Sequence, residues 1–215
     1  MPDKYSVTLA PVTGDDYALL AQWVSANAGF YASGTKHQVS ADEFREFLDR
    51  ADDKYLMVCT TDGEPVGAVS WKPAGAPGNY AVGTMIGDPD MWGAGFGAEA
   101  TILLVGILFD SMNAHRVEFT CGLYNRRSVE SLCSGMITIE GVLRDYYFLD
   151  GAYHHALTGS ILRAEYYARR APAEIVPAQD KEAAWEIAAD FLEKNPVVLR
   201  SSPGAAPTAT ERKRT

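Results

Sequence analysis

The pattern of apolar and polar positions predicts short strands that alternate with amphipathic helices. A first strand is expected at Tyr5 to Leu9, and Asp15 is a candidate N-cap for a helix with one apolar face. A second helix is expected to begin at Ser40, whose spacing to Glu43 forms a capping box. Residues 27–36 show no period, so we predict that they form a loop between the two helices.

Four further strands are predicted as two hairpins, because each pair is separated by a short turn that contains glycine. The predicted strands are Tyr55–Thr60, Val66–Trp71, Val142–Leu149 and Tyr153–Leu162. Gly63 lies in the first turn, and Asp150 with Gly151 forms the second. Each pair is therefore expected to be antiparallel.

Three glycines at alternate positions, Gly93 to Gly97, precede the apolar run Thr101 to Phe109. The apolar run is predicted to be a mostly buried helix. Strands are predicted at Tyr80–Ile86, before the glycines, and at His115–Leu123, after the helix. Because a helix lies between these two strands, we expect them to be parallel.

The glycine loop is a candidate site for a phosphate-bearing ligand. Glycine enters left-handed conformations at little cost and lets a ligand approach the backbone. The start of a helix adds free N–H groups and the positive end of its dipole. No Lys-Ser or Lys-Thr follows, which excludes a Walker-type loop, and Ala98 stands where a dinucleotide signature has its third glycine. The loop alone leaves open a dinucleotide fold, a tight turn or a coenzyme A site.

The segment Ile86 to Ala100 resembles motif A of the GNAT N-acetyltransferase superfamily. Trp92 takes the place of the usual Gln or Arg, as in the branch that contains ribosomal-protein N-terminal acetyltransferases. The second motif of the family is matched by Asn125, Ser128, Glu140, Gly141 and Arg144. The resemblance covers roughly residues 5–167.

The resemblance implies an α/β (α+β) fold: a mixed, mostly antiparallel twisted sheet with a central splayed parallel strand pair and helices on both faces. The cleft between the splayed strands would bind acetyl-CoA or another acyl-CoA as co-substrate, with no metal. The implied coenzyme-binding residues are Met85, Ile86, Trp92, Gly93, Ala94, Gly95, Phe96, Gly97, Ala98, Asn125 and Ser128. The implied function is an acyl-CoA-dependent N-acyltransferase that transfers the acyl group, most simply acetyl, directly to the amine of a small molecule or a peptide N-terminus.

Direct transfer to an amine needs a base for the amine proton. The residues of the right type are Glu118 on the predicted parallel strand and His154 and His155 in the last hairpin. Adjacent residues on a strand point to opposite faces, so at most one of the two histidines faces the cleft. The resemblance implies that the acceptor pocket can be lined by Phe30, Tyr31 and His37.

The proton donor for the departing thiolate is less evident. Leu132 falls where many relatives have tyrosine, and leucine cannot donate a proton. The possible substitutes are Tyr124, Cys133 and Ser134. Met136-Ile137 replaces the usual Gly-Phe of the family, and His155 replaces an Asp. These departures leave open a non-catalytic acyl-CoA-binding module as an alternative. The glycine loop by itself leaves open a protein that binds only phosphate or nucleotide.

Composition adds limits on size and partners. The chain has 215 residues, of which 47% are hydrophobic and 22% charged, which suits one domain with a substantial core. We predict an acetyltransferase domain at 1–167, an extension with one helix at 168–200, and a disordered tail at 201–215. The net charge of −9 argues against nucleic-acid binding and favours a neutral or cationic acceptor.

Cysteine usage and the N-terminal sequence bear on location. The three cysteines are odd in number and lack metal-ligand spacing, so neither a disulfide framework nor a zinc site is expected. The chain starts without a basic and then apolar leader, and its apolar runs are too short to span a membrane. We therefore expect a cytoplasmic protein with no membrane partner, either monomeric or homodimeric.

Overall fold

A mixed sheet organises the first of two compact units, residues 1–172 and 173–215, into which the chain divides. The computed structural model describes residues 5–36, 38–169 and 177–195. Its strands are β1 Val7–Pro11, β2 Lys54–Thr60, β3 Pro65–Pro73, β4 Asn79–Ile86, β5 Arg116–Gly122, β6 Thr138–Leu149 and β7 Ala152–Leu162. Its helices are α1 Asp16–Val24, α2 Asn27–Ser33, α3 Ala41–Arg50, α4 Phe96–Asp110, α5 Arg126–Leu132, α6 Arg163–Arg169 and α7 Ala178–Lys194.

The strand order in the described part of the sheet is β1-β2-β3-β4-β5-β7-β6. Neighbouring strands are antiparallel except β4 and β5, which are parallel. The parallel pairing runs only from Asn79 opposite Arg116 to Ala81 opposite Glu118. Beyond these residues the two strands separate. The predicted splayed parallel pair at the centre of the sheet is therefore confirmed.

Helices cover both faces of the sheet, as predicted. Successive residues of a strand point to opposite faces, and on β2 Val58 packs in the core under α4 while Met57 packs in the core under α1 and α3. Leu104, Leu108 and Phe109 of α4 are fully buried in the first core. Burying a side chain of this size stabilises the fold by about 1.5–3 kcal/mol. The long apolar run thus fixes α4, and with it the glycine loop, against the strands.

The prediction of a loop at 27–36 is wrong, because α2 occupies Asn27–Ser33. Seven residues are too few to show an apolar period. The helix ends at Gly34, whose φ of 74° is left-handed. The backbone N–H of Gly34 donates a hydrogen bond to the carbonyl oxygen of Phe30. Gly29 allows close packing, since a Cβ there would lie 2.3 Å from the carbonyl oxygen of Trp23. The consequence is that Tyr31 is held on a helix instead of a free loop.

Two further features of the helices differ from the predictions. Asp15 makes no capping bond, and the carboxylate of Asp16 instead accepts hydrogen bonds from the backbone N–H and the hydroxyl of Thr13. The predicted capping box of Ser40 and Glu43 is confirmed. The helix α6 was not predicted, because it follows β7 without a break.

The second unit consists, in its described residues, of α7. It lies within the segment 168–200, in which one helix was predicted. Its exposed apolar side chains are Trp185, Ile187, Phe191 and Leu192. The predicted tail at 201–215 lies outside the described residues, and the predicted domain limits stay predictions. No helix among the described residues has the length and apolar content needed to cross a bilayer.

Candidate functional site

A cavity of about 560 Å³ opens where β4 and β5 separate. Its wall is formed by the ends of both strands, the glycine loop, the start of α4 and one side of α5. The residues of the predicted coenzyme site in this wall are Met85, Ile86, Trp92, Gly93, Gly95, Phe96, Gly97, Ala98, Asn125 and Ser128. They are ten of the eleven predicted, and Ala94 is the exception. Residues far apart in sequence thus meet in one cavity.

The glycine loop leaves the start of α4 uncapped. Gly93 and Gly95 have φ angles of 91° and 94°, which side-chain-bearing residues rarely adopt. Gly95 is the N-cap residue of α4, and no side chain caps the helix. The one acid of the first turn, Glu99, accepts hydrogen bonds of 2.7 and 2.8 Å from the backbone N–H and hydroxyl of Ser6. The helix start therefore offers backbone N–H groups to an anion.

Trp92 joins the loop to its surroundings. Its indole Nε1 donates a 2.9 Å hydrogen bond to the carbonyl oxygen of Ile86. The ring of Tyr31 stacks on the indole at 5.6 Å between centroids, and the guanidinium carbon of Arg127 lies 5.4 Å from the indole centroid. Tyr31 and Arg127 also line the cavity. Trp92 is consequently both a support of the loop and part of the cavity wall.

The Asn-x-x-Ser segment forms the start of α5. Asn125 is only 7% exposed, and its Oδ1 accepts a 3.2 Å hydrogen bond from the backbone N–H of Ser128. The side chain is thus the helix cap. Leu132, at the other end of this helix, is buried and lines the cavity, so the place expected for a tyrosine carries no proton donor. Cys121 also lines the cavity, and burial raises the pKa of its thiol to about 11.

Tyr31, Tyr124, Tyr147 and His154 form what we call the aromatic cluster. The ring of Tyr124 lies 5.5 Å from Tyr31, 6.2 Å from Tyr147 and 5.1 Å from His154, all edge-to-face. The hydroxyl of Tyr31 donates a 3.1 Å hydrogen bond to the carbonyl oxygen of Tyr124. Burial raises the pKa of Tyr124, and raises that of Tyr147 to about 12, so both phenols are protonated at neutral pH.

The sequence signal for this cluster was incomplete. Of the three predicted lining residues of an acceptor pocket, Tyr31 lines the cavity, Phe30 does not, and His37 lies outside the described residues. The sequence indicates Tyr124 only as a candidate proton donor. Tyr147 carried no local signal, because its neighbours in the cluster are distant in sequence.

The three predicted bases are not brought together, and none lines the main cavity. The carboxylate of Glu118 accepts a 2.9 Å hydrogen bond from Nε of Arg116. Nδ1 of His155 accepts a 2.9 Å hydrogen bond from the backbone N–H of Asp145. His154 packs on Tyr124, with Nε2 3.3 Å from the carbonyl oxygen of Leu149.

Both histidines border a second cavity of about 330 Å³. Its other lining residues are Leu123, Tyr124 and Tyr153. Tyr124 therefore contacts the wall of the main cavity through Tyr31 and forms the wall of the second one itself. Among the described residues, no group of three His, Cys, Asp or Glu side chains could hold a metal ion.

A family model described as an acetyltransferase (GNAT) domain matches residues 6–132, more than half of the chain. The chain belongs to the GNAT acetyltransferase family. Over a stretch of 75 residues the chain is 36% identical to the uncharacterized N-acetyltransferase p20 of Bacillus licheniformis. This stretch makes up 35% of this chain and 42% of that protein. The chain thus matches less than half of the length of this relative.

Solved structures of the family have the same fold. A spermidine N-acetyltransferase from Vibrio cholerae, in complex with CoA and spermine, has a TM-score of 0.68 at 17% identity over 75% of this chain and 98% of that one. A GNAT-family acetyltransferase from Bacillus anthracis has a TM-score of 0.63 at 16% identity, and the match covers 75% of this chain and 98% of that one. These structures confirm the predicted fold, and the family model confirms the predicted membership of the GNAT acetyltransferases. The finer resemblance to the ribosomal-protein branch stays a prediction.

Proposed function

We propose that the chain transfers the acetyl group of acetyl-CoA directly to a primary amine of a small, cationic molecule. The observation that carries this proposal is the cavity between β4 and β5, with an uncapped helix start on its wall and the aromatic cluster beside it. Its volume of about 560 Å³ lies within the range usual for small-molecule sites.

The cavity has a suitable group for each part of acetyl-CoA. The pyrophosphate fits the N–H groups at Gly95 to Ala98, because such a helix start attracts anions. The pantetheine arm fits along β4 beyond Ala81, where the strand has no hydrogen-bonding neighbour on the β5 side. The thioester would then lie near the ends of the two strands. An amine reaching it from the side of Tyr31 and Tyr124 completes the arrangement.

The reaction forms a C–N bond between the amine and the acetyl carbonyl carbon and breaks the C–S bond of the thioester. A backbone N–H of the unpaired part of β4 can polarise the carbonyl oxygen. We assign the departing thiolate a proton from the phenol of Tyr124, which contacts Tyr31. A phenol has an ordinary pKa of about 10 and is protonated at neutral pH, and burial raises the pKa of Tyr124 further. We assign the amine proton to His154, through water, since its ring packs on Tyr124.

The charge and the aromatic cluster favour a cationic acceptor. The chain carries a net charge of −9, which raises the local concentration of cations at its surface. Aromatic faces attract ammonium groups, and Tyr31 presents such a ring at the cavity wall. The Vibrio cholerae enzyme was solved with spermine, which makes polyamines the first compounds to try. A peptide N-terminus is the alternative acceptor.

The test is the release of free thiol from acetyl-CoA in the presence of spermidine, a simple alkyl diamine, a neutral amine or a short peptide. We expect turnover with the polyamine or diamine, and a higher KM for that amine in Tyr31→Leu, with the Kd for acetyl-CoA little changed. Turnover only with the peptide would shift the acceptor class. Binding of CoA without turnover of any amine would support the non-catalytic acyl-CoA-binding module, to which the leucine at position 132 already points.

A further inference from the structure

The glycine loop has an unfavourable charge for a phosphate site. The segment from Gly87 to Ala100 contains three acids, Asp88, Asp90 and Glu99, and no Lys, Arg or His. The carboxylate of Glu99 is engaged with Ser6, and that of Asp88 accepts from the backbone N–H of Asp90, but the charges remain. Backbone N–H groups alone would have to hold a doubly charged pyrophosphate there. A cation from elsewhere in the fold would offset this repulsion.

Arg127 is placed to supply this cation at the glycine loop. Its guanidinium carbon lies 5.4 Å from the ring centroid of Trp92, the residue directly before Gly93 of the loop. Arg127 lines the same cavity as the loop glycines, as does its neighbour Arg126, but the contact with Trp92 is made by Arg127. The guanidinium is therefore held beside the loop by a residue that is itself anchored on Ile86.

The charge of Arg127 is also not neutralised within the described residues. No carboxylate of the described chain forms an ion pair with it, whereas its neighbour Arg126 pairs with Glu130 at 3.5 Å. An arginine stacked on an aromatic ring keeps the N–H groups at its edge free for hydrogen bonds. Those N–H groups match the oxygens of a phosphate in a bidentate arrangement.

We propose that Arg127, held on the indole of Trp92, binds the pyrophosphate of acetyl-CoA and supplies the positive charge that the glycine loop lacks. This inference rests on the proposed function, because it takes acetyl-CoA as the ligand of the main cavity. It assigns a specific role to Trp92 as the platform of the arginine. It also assigns different roles to two adjacent arginines.

The experiment compares the full-length protein with Arg127→Gln and Arg126→Gln by calorimetric titration with acetyl-CoA. Both arginines are exposed, so neither change should shift the melting temperature. We expect Arg127→Gln to raise the Kd roughly tenfold or more, the size usual for a charge-assisted hydrogen bond, and Arg126→Gln to raise it less than about twofold. The loss should be largest at low ionic strength, because salt screens an exposed charge.

A second titration, with 3′-dephospho-acetyl-CoA, shows whether Arg127 binds the pyrophosphate or the 3′-phosphate. The pyrophosphate assignment requires the same ratio of Kd values between wild type and Arg127→Gln for both ligands. A ratio that falls to about one without the 3′-phosphate would overturn it, as would equal losses in the two arginine variants or none in Arg127→Gln. The proposed function is tested separately: wild type that does not bind acetyl-CoA contradicts it, whereas the ratio between variants reports on the arginine alone.

Discussion

The indole Nε1 of Trp92 donates a 2.9 Å hydrogen bond to the carbonyl oxygen of Ile86, the last residue of β4. This bond ties the start of the glycine loop to the end of the strand along which the pantetheine arm is proposed to lie. It also occupies an acceptor at the strand end, so a ligand there is left with the N–H groups and the carbonyls further back along β4. The position of the loop relative to the strand therefore depends on one side chain.

Replacing this side chain by phenylalanine separates its two roles. Trp92→Phe keeps an aromatic ring for Tyr31 and Arg127 but removes the donor to Ile86. We expect the free energy of unfolding to fall by about 1 kcal/mol, the usual net value of one hydrogen bond, and the affinity for CoA to fall as the loop moves. Urea denaturation and calorimetry measure the two effects. Unchanged values in both would mean that the bond does not position the loop.

The loop glycines should respond differently to alanine. At Gly97 a Cβ would lie 3.6 Å from Cγ1 of Ile86 and 3.8 Å from Cγ2 of Thr84, which are ordinary contacts. Gly97→Ala should therefore fold as well as wild type, and even gain up to about 1 kcal/mol from helix propensity, while its methyl group in the cavity wall weakens CoA binding. At Gly95, with φ of 94°, the same change should instead cost about 1–3 kcal/mol of stability.

Thermal unfolding and CoA titration of the two variants distinguish these outcomes. A fully stable Gly95→Ala would contradict the left-handed conformation of this residue. Wild-type affinity in Gly97→Ala would show that the ligand does not approach the helix start closely.

The ion pair of Arg116 with Glu140 should make the stability of the fold depend on pH in the acidic range. Hydrogen bonds from Arg116, and then from Ser160, lower the pKa of Glu140 to about 2. A carboxyl group whose pKa is lowered in the folded state stabilises the fold above its unfolded pKa, near 4.3, and loses this effect as the pH falls towards 2. Glu140→Gln should therefore be less stable than wild type at pH 7, with a difference that shrinks below about pH 5.

Urea denaturation at several pH values between 7 and 3 provides the measurement. Glu46→Gln is a matched control, because Glu46 pairs with Arg50 on the exposed face of α3 and should contribute little. If the deficit of Glu140→Gln stayed constant down to pH 3, the pair with Arg116 would not be its origin.

The strands, and the glycine loop that lines the cavity, could be predicted because their signals are local. The turns of both hairpins carry glycine, and the parallel arrangement of β4 and β5 follows from the helix between them. The glycine loop is likewise a continuous segment. In contrast, α2 is too short for a period, and its only clear signal was Gly34 at its end.

The surroundings of the assigned base could not be predicted, because Tyr124, which contacts His154, is distant in sequence. Glu118 differs, since its partner Arg116 lies only two residues away on the same strand. The contact of Arg127 with Trp92 depends on the packing of α5 against the loop. The sequence thus contained the right types of residues, and the fold decides which of them remain available.

The choice of base is the remaining prediction, and the environments of the three candidates give different expectations. A general base among the histidines should make log kcat/KM rise with pH along an acidic limb, because only a neutral imidazole can accept the amine proton. His154, packed on Tyr124, is the assigned base, so His154→Gln should remove this limb and lower kcat/KM by roughly a hundred- to ten-thousandfold.

The other two variants serve as its controls. His155→Gln should mainly affect stability, because its Nδ1 accepts from the backbone of Asp145, at a point where β6 is irregular and Asp145 has a φ of 50°. Glu118→Gln should keep the pH profile, because its carboxylate is engaged with Arg116. If both histidine variants retained the wild-type rate and profile while Glu118→Gln lost them, the histidine assignment would be wrong, and the strand carboxylate, acting through water, would be the base.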